Sequence, residues 1–203
     1  MGKIFVPTHL EGCQISAKYL HKQMNCGAVF VEPNPHTNSE SPDAIGFRPD
    51  GCSILIEVKV SRDDFRADAK KPHRINPEQG MGSYRFYACP EGVIRIEDLP
   101  PKWGLFYFTP RKSLKAIHVP DVQISSLYSP QHYLNMIARR SPNGKMPPYL
   151  LHYQKMVEDF GHVVKNTTAE VSILYGAWRQ LCIAHSREIP YSVNEVFQRP
   201  NLK

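Results

Sequence analysis

The sequence has no long apolar run, no CxxC pair, and no repeated or low-complexity segment. No window approaches the roughly 18 consecutive apolar residues that a membrane-spanning helix needs, and the apolar stretch at the N-terminus is too short for a signal peptide. The five cysteines are an odd number and widely spaced, which argues against a disulfide framework or a four-cysteine zinc site. We therefore expect a cytoplasmic protein with reduced thiols.

Acidic residues are fewer than basic ones. The 19 Asp and Glu against 25 Lys and Arg give a net charge of +6, with a mean hydropathy of −0.41 and 41% hydrophobic residues. This composition excludes a disordered chain, and a chain of this length can bury roughly 70% of its unfolded surface. The modest basic excess is compatible with a polyanionic partner, but an ordinary solvated surface also explains it.

Hydrophobic periodicity predicts an N-terminal helix, a series of strands, and a helical C-terminal third. The residue pattern changes from strand-like to helical near Pro120, so we divide the chain into a core over 1–120 and a helical extension over 121–203. An apolar stripe on the last helix would pack on the sheet or form a homodimer interface. The predicted helices are 10–24, 65–71, 131–140, 149–160 and 168–185, and the predicted strands are 28–31, 43–47, 52–60, 84–89, 104–109 and 114–119.

The clearest local prediction is an antiparallel hairpin over 43–60. Its turn contains Pro49, which presets φ, and Gly51, which accepts a positive φ. Because side chains alternate along a strand, Glu57 and Lys59 share one face of the second strand. The hairpin runs almost directly into a helix that begins with a Ser-x-x-acid capping pattern and that we expect Pro72 to close.

The hairpin also carries the residues that phosphodiester hydrolysis needs. Asp43 and Glu57 could hold Mg²⁺, which prefers hard oxygen ligands, with the carbonyl of Val58 as an adjacent ligand. Lys59 could orient or deprotonate the attacking water and offset charge on the phosphate. The predicted catalytic residues are therefore Asp43, Glu57 and Lys59.

The pattern Pro42-Asp43, thirteen residues, then Glu57-Val58-Lys59 resembles the PD-(D/E)xK nuclease superfamily. Within it, 42–108 is similar to MmcB-like DNA-repair nucleases. The resemblance implies an α/β fold with a restriction-endonuclease-like core, in which helices flank a mixed central β-sheet. It also implies Mg²⁺ or Mn²⁺ as cofactor, DNA as partner, and a role in DNA repair, recombination or phage DNA processing.

The resemblance suggests one further metal ligand, because the superfamily often adds an acidic residue from its first helix. Glu11 occupies that region here, and Glu32 or Glu40 could do the same job. Four further residues are candidate nucleic-acid contacts, since most affinity for DNA comes from phosphates. These residues are Ser61, Lys70, Lys71 and Arg74.

Other interpretations stay open at this point. Glu57 and Lys59 could form a minor ion pair on an exposed sheet edge, and Asp63, Asp64 and Asp68 fit a solvated helix face. Four His and Cys residues lie near one another in sequence, but their spacing fits no familiar zinc pattern: His9, Cys13, His21 and Cys26. The function could likewise be a non-catalytic nucleic-acid or protein-binding module on a nuclease-like fold, and RNA could replace DNA as the substrate.

Overall fold

The computed structural model describes residues 4–35, 40–141 and 145–184. The strands are β1 (Ala28–Val31), β2 (Ala44–Phe47), β3 (Ser53–Val58), β4 (Tyr84–Cys89), β5 (Trp103–Thr109) and β6 (Ser113–His118). The helices are α1 (His9–Lys22), α2 (Arg62–Asp68), α3 (Pro72–Ile75), α4 (Pro130–Arg140), α5 (Pro148–Phe160) and α6 (Thr167–Ala184). Among the described residues, no helix is both long enough and apolar enough to cross a membrane.

The six strands form one mixed sheet in the order β1-β2-β3-β4-β5-β6. Strand β4 runs parallel to both β3 and β5, and the other neighbours are antiparallel. The predicted α/β class, with helices flanking a mixed sheet, is confirmed. The β2–β3 hairpin forms as predicted, with Gly51 at a φ of +78° in its turn and Asp50 Oδ1 accepting a hydrogen bond from the N–H of Cys52.

Helices cover both faces of the sheet and produce two hydrophobic cores. On one face, α1 packs with α4 and α5, which contribute Tyr133 and Phe160 to the core. On the other face lie Phe65 of α2 and Ile173 of α6. The helices after residue 120 thus contribute buried side chains to both cores.

Helix α6 buries only part of its apolar surface. Ile173 and Cys182 are buried, whereas Tyr175 and Trp178 are 61% and 42% exposed. These two side chains of the predicted stripe do not pack on the sheet, and His185, its last member, lies outside the described residues. All five cysteines are unpaired and buried, as expected for reduced thiols.

Two local features bring the helices to the positions that matter for the site. A Cβ on Gly12 would lie 2.6 Å from Cγ1 of Val58, so glycine at this position lets α1 approach the end of β3. Pro72, which we expected to end the preceding helix, is instead the first residue of α3. A proline suits this position because its fixed φ is already helical and no intrahelical N–H is needed.

Candidate functional site

The hairpin brings Asp43, Glu57 and Lys59 to one end of the sheet. Because β2 is antiparallel to β3, the beginning of β2 lies beside the end of β3, and Asp43 Oδ2 accepts a 2.6 Å hydrogen bond from the N–H of Val58. Lys59 follows the last residue of β3, and its Nζ lies 3.3 Å from Glu57 Oε2. The three predicted catalytic side chains are therefore neighbours.

A buried guanidinium connects Glu57 to two further carboxylates. The side chain of Arg74 is 3% exposed, and its Nη2 lies 3.1 Å from Glu57 Oε1. Its Nη1 lies 2.7 Å from Glu40 Oε1, and its Nε lies 2.7 Å from Asp68 Oδ2. The guanidinium also stacks over the ring of Trp103, 4.6 Å from the centroid. Arg74 is thus the shared counter-ion of three carboxylates.

This placement corrects two predictions. Arg74 was expected on the surface, in contact with DNA phosphates, but it is buried because the three carboxylates compensate the desolvation of its charge. Asp68 was expected on a solvated helix face, yet its side chain is fully buried. It accepts a 2.8 Å hydrogen bond from Tyr87 Oη and lies 2.7 Å from Lys71 Nζ, as a buried carboxylate requires.

Lys59 is also more deeply buried than we expected. Its side chain is 4% exposed, and its Nζ lies 3.3 Å from both Glu57 Oε2 and Asp68 Oδ1. Because β3 has a neighbouring strand on each side, the interpretation as an ion pair on an exposed sheet edge is wrong. Burial disfavours the charged ammonium. The carboxylates of Glu57 and Asp68 stabilise that charge by more than burial costs, and so they raise the pKa of Lys59. Lys59 is therefore protonated at neutral pH in the metal-free protein, so it is placed to orient water or offset charge.

The second oxygen of Asp43 faces a different group of side chains. Asp43 Oδ1 lies 3.3 Å from His9 Nε2, which lies 3.6 Å from Glu32 Oε1. Together with Cys13, these residues place one candidate ligand atom each within 4.8 Å of one another. The group joins α1, the residue after β1 and the residue before β2.

Burial perturbs two members of this group. Desolvation of Asp43, together with the nearby charge of Glu57, raises the pKa of the carboxyl to about 6, although Lys59 partly opposes the shift. Burial, reinforced by the carboxylates, raises the pKa of the Cys13 thiol to about 12. Cys13 is consequently a protonated thiol in the metal-free protein rather than a reactive thiolate.

The structure does not bring Glu11 to this site. The Glu11 side chain is 30% exposed and lies 2.8 Å from Lys112 Nζ in the β5–β6 turn, and this ion pair lowers its pKa. Of the two alternatives to Glu11, Glu32 joins the group around Asp43 and Glu40 joins the network around Arg74.

The remaining predicted contacts with nucleic acid lie near α2. Ser61 caps this helix by accepting a hydrogen bond from the N–H of Asp64. Lys70 is exposed, and Lys71 is 46% exposed while it pairs with Asp68. These three residues therefore stay accessible to a ligand, whereas Arg74 does not.

The donors at Asp43 and Glu57 fit the Mg²⁺ that the resemblance implies. Both residues supply carboxylate oxygens, the ligands this cation prefers. Within the described part of the chain, the buried Oε1 of Glu57 accepts no hydrogen bond, although it lies 3.1 Å from Nη2 of Arg74. A buried acceptor without a hydrogen bond is an atom that a cation could coordinate.

Sequence reasoning missed the wider ion network. It noted His9 and Cys13 only within a set of His and Cys residues that fits no familiar zinc pattern, although residues four apart lie on the same face of a helix. No signal connected them with Glu32 and Asp43, since those contacts depend on how α1 packs against β1 and β2.

Comparisons with known proteins add little to this geometry. No protein-family model matches the chain, and no curated protein matches it. A solved structure described as the SPO1766 protein of unknown function from Silicibacter pomeroyi is similar over 89% of this chain and 94% of its own, with 17% identity and a TM-score of 0.46. A likeness this remote indicates nothing about function.

Proposed function

We propose that this chain is a divalent-metal-dependent phosphodiesterase that hydrolyses DNA. The observation that carries the proposal is the meeting of Asp43, Glu57 and Lys59 at one end of the hairpin. Two carboxylates and one ammonium in this arrangement match the needs of phosphate chemistry. The resemblance to PD-(D/E)xK nucleases implies the same activity, and it is also the reason for preferring a role in DNA repair, recombination or phage DNA processing.

The residues of the chain would divide the work as follows. Asp43, fixed through the N–H of Val58, and Glu57, whose Oε1 accepts no hydrogen bond and is paired with Arg74, would hold Mg²⁺ or Mn²⁺. The bound cation supplies a Lewis acid and lowers the pKa of water. Hydrolysis adds the water oxygen to phosphorus and breaks the bond to a sugar oxygen, so negative charge builds on the phosphate. Lys59, which stays protonated, would offset that charge from a fixed position.

The surface beside the site supports a polyanionic substrate. Arg66 is 69% exposed and Lys71 is 46% exposed, and Lys70 is exposed between them in sequence. Phosphate contacts from such residues supply most of the affinity of proteins for DNA. Ser61, at the beginning of the same helix, adds a hydroxyl to this surface.

One observation favours a second candidate function, a non-catalytic nucleic-acid or protein-binding module. Glu57 is 2% exposed and pairs with both Lys59 and Arg74. A buried ion network explains these residues without any chemistry, because each charge already has a partner. In a binding module, the network would hold α2 and α3 against the sheet and so shape the exposed basic surface.

The experiment that separates these functions is a cleavage assay with labelled single-stranded, duplex and branched DNA and a matched RNA. Each substrate is incubated with the wild-type protein in Mg²⁺, in Mn²⁺ and in EDTA. We expect cleavage only with metal. In Glu57→Gln the cleavage rate should decrease at least about 100-fold, which is the typical effect of removing one preorganised electrostatic contact. Glu158→Gln is the matched control, because Glu158 is exposed on α5 and its carboxylate accepts a hydrogen bond from the neighbouring Gln154 side chain.

Two results would contradict the proposal. Cleavage that is equally fast in Glu57→Gln, once far-UV circular dichroism has shown that the variant is folded, would exclude Glu57 from the chemistry. Binding of DNA that is equal in Mg²⁺ and in EDTA, with no cleavage of any substrate, would favour the binding module instead.

A further inference from the structure

A group of four side chains at the N-terminal end of α1 has the composition and spacing of a transition-metal site. His9 and Cys13 come from one face of α1, Glu32 directly follows β1, and Asp43 directly precedes β2. Each offers one ligand atom, and all four atoms lie within 4.8 Å of one another. We propose that these four residues bind a cation of the Zn²⁺ type.

Two of the separations between ligand atoms are close to those of tetrahedral coordination. Two ligand atoms at 2.0–2.1 Å from a tetrahedral Zn²⁺ are about 3.3–3.4 Å apart, and a sulfur ligand lies slightly farther out. His9 Nε2 lies 3.3 Å from Asp43 Oδ1 and 3.6 Å from Glu32 Oε1. These two separations are close to the tetrahedral values, and the sulfur of Cys13, within 4.8 Å of the other ligand atoms, must move closer to reach the same ion.

The fold holds the ligands in place and leaves a path for the ion. Cys13 is fully buried at the base of the site, and Asp43 is fixed through its Oδ2 by the N–H of Val58, which leaves Oδ1 for the metal. The side chains of His9 and Glu32 are 43% and 49% exposed. An ion can therefore enter from solvent between the two accessible ligands and reach the two fixed ones.

The ligand chemistry selects the class of metal. Imidazole and thiolate suit Zn²⁺ and Co²⁺, whereas Mg²⁺ takes oxygen ligands and retains water. A metal that coordinates a cysteine deprotonates the thiol, so a protonated Cys13 in the metal-free protein is compatible with binding. The site shares Asp43 with the proposed Mg²⁺ site, but it does not rest on the proposed function, since metal binding requires neither Glu57 nor a substrate.

The test is a titration of the full-length protein with Co²⁺, followed by absorption spectroscopy. A thiolate bound to Co²⁺ produces a charge-transfer band in the near ultraviolet, which oxygen and nitrogen ligands alone do not produce. We expect this band to saturate at one ion per chain, to disappear when Zn²⁺ is added, and to persist in excess Mg²⁺.

Variants assign the band to particular ligands. Cys13→Ser should abolish it, whereas Cys26→Ser should retain it, because Cys26 is a buried thiol that contacts Met24 O outside the group. His9→Ala changes an accessible side chain and is the safer variant for folding. It should weaken Zn²⁺ binding in calorimetry by more than the about 10–100-fold that outer-shell partners contribute.

The outcomes also separate this proposal from the proposed function. No charge-transfer band, or a band that persists in Cys13→Ser, would overturn the proposal. Unchanged Zn²⁺ affinity in a folded His9→Ala protein would do the same. If Co²⁺ binds with the expected spectrum but DNA is never cleaved, the metal site stands and the phosphodiesterase proposal fails.

Discussion

Arg74→Met should destabilise the protein strongly, because Arg74 is the only described cation that contacts Glu40, Glu57 and Asp68 at once. Methionine fills part of the same volume and keeps a contact with Trp103, so the change removes mainly the charge. Afterwards Glu57 and Asp68 still have Lys59.

The size of the effect follows from these partners. Breaking a buried ion pair from one side typically costs about 3–5 kcal/mol, because the remaining charge stays buried without compensation. Glu40 retains the 2.6 Å hydrogen bond from the N–H of Met81, and Asp68 retains its ion pair with Lys71. We therefore expect a loss of about 4 kcal/mol in the free energy of unfolding near pH 8, within the range stated for such pairs.

The loss should depend on pH in a defined direction. Burial raises the pKa of Glu40 even with Arg74 opposing it, so removing Arg74 raises this pKa further. A group whose pKa is higher in the folded than in the unfolded state stabilises the protein at low pH and loses that contribution as the pH rises. The difference between variant and wild type should consequently be smaller at pH 5 than at pH 8.

Urea unfolding at both pH values measures this difference, with an unchanged m-value as the condition for comparison. Arg66→Met is the control, because Arg66 is 69% exposed and its ion pair is with the exposed Asp63. A loss below about 1 kcal/mol at pH 8, typical of a surface pair, would refute the role of Arg74 as a buried counter-ion. So would an equal loss at the two pH values.

Three further predictions concern other parts of the molecule. Lys59→Ala should lower the free energy of unfolding, measured with urea, by about 3 kcal/mol, since it leaves buried carboxylates with one cation fewer; an unchanged unfolding midpoint would contradict this role of Lys59. His162 is buried near Arg85, and burial lowers its pKa from 6.5 to about 3, so its contribution to stability is lost as the pH falls through this window. His162→Gln should remove up to about 1.4 kcal/mol per pH unit of that slope, and a variant with the wild-type slope would contradict this. Glu11→Ala should leave the metal affinity measured by calorimetry unchanged, and a loss of binding would show that Glu11 is a metal ligand.

Local sequence signals predicted the hairpin and five of the six described helices, all except α3, for identifiable reasons. The turn at Pro49 and Gly51 limits the backbone to a few conformations, and the alternation along β3 follows from strand geometry. These signals involve residues close in sequence, so they also placed Glu57 beside Lys59. The approach of Asp43 to the end of β3 followed from the antiparallel pairing of the same hairpin.

The burial of the charged residues could not be predicted in this way. Arg74 belongs to a basic run that looks like a surface cluster, and its partner Glu40 lies 34 residues earlier in the chain. The run becomes half buried because Pro72 starts a second short helix, which local signals had treated only as the end of the first. Burial of a charge depends on partners that come from other elements, and those are set by tertiary packing.

The most direct test of the proposed function is the cleavage rate of Asp43→Asn against wild type on the DNA that the wild type cleaves best, in Mg²⁺ and in EDTA. Asparagine can still accept the hydrogen bond from the N–H of Val58, so the change removes the charge while keeping the local structure. The proposed function predicts metal-dependent cleavage by the wild type and a decrease of at least about 100-fold in the variant. Equal rates in the two proteins, or cleavage that continues in EDTA, would contradict it.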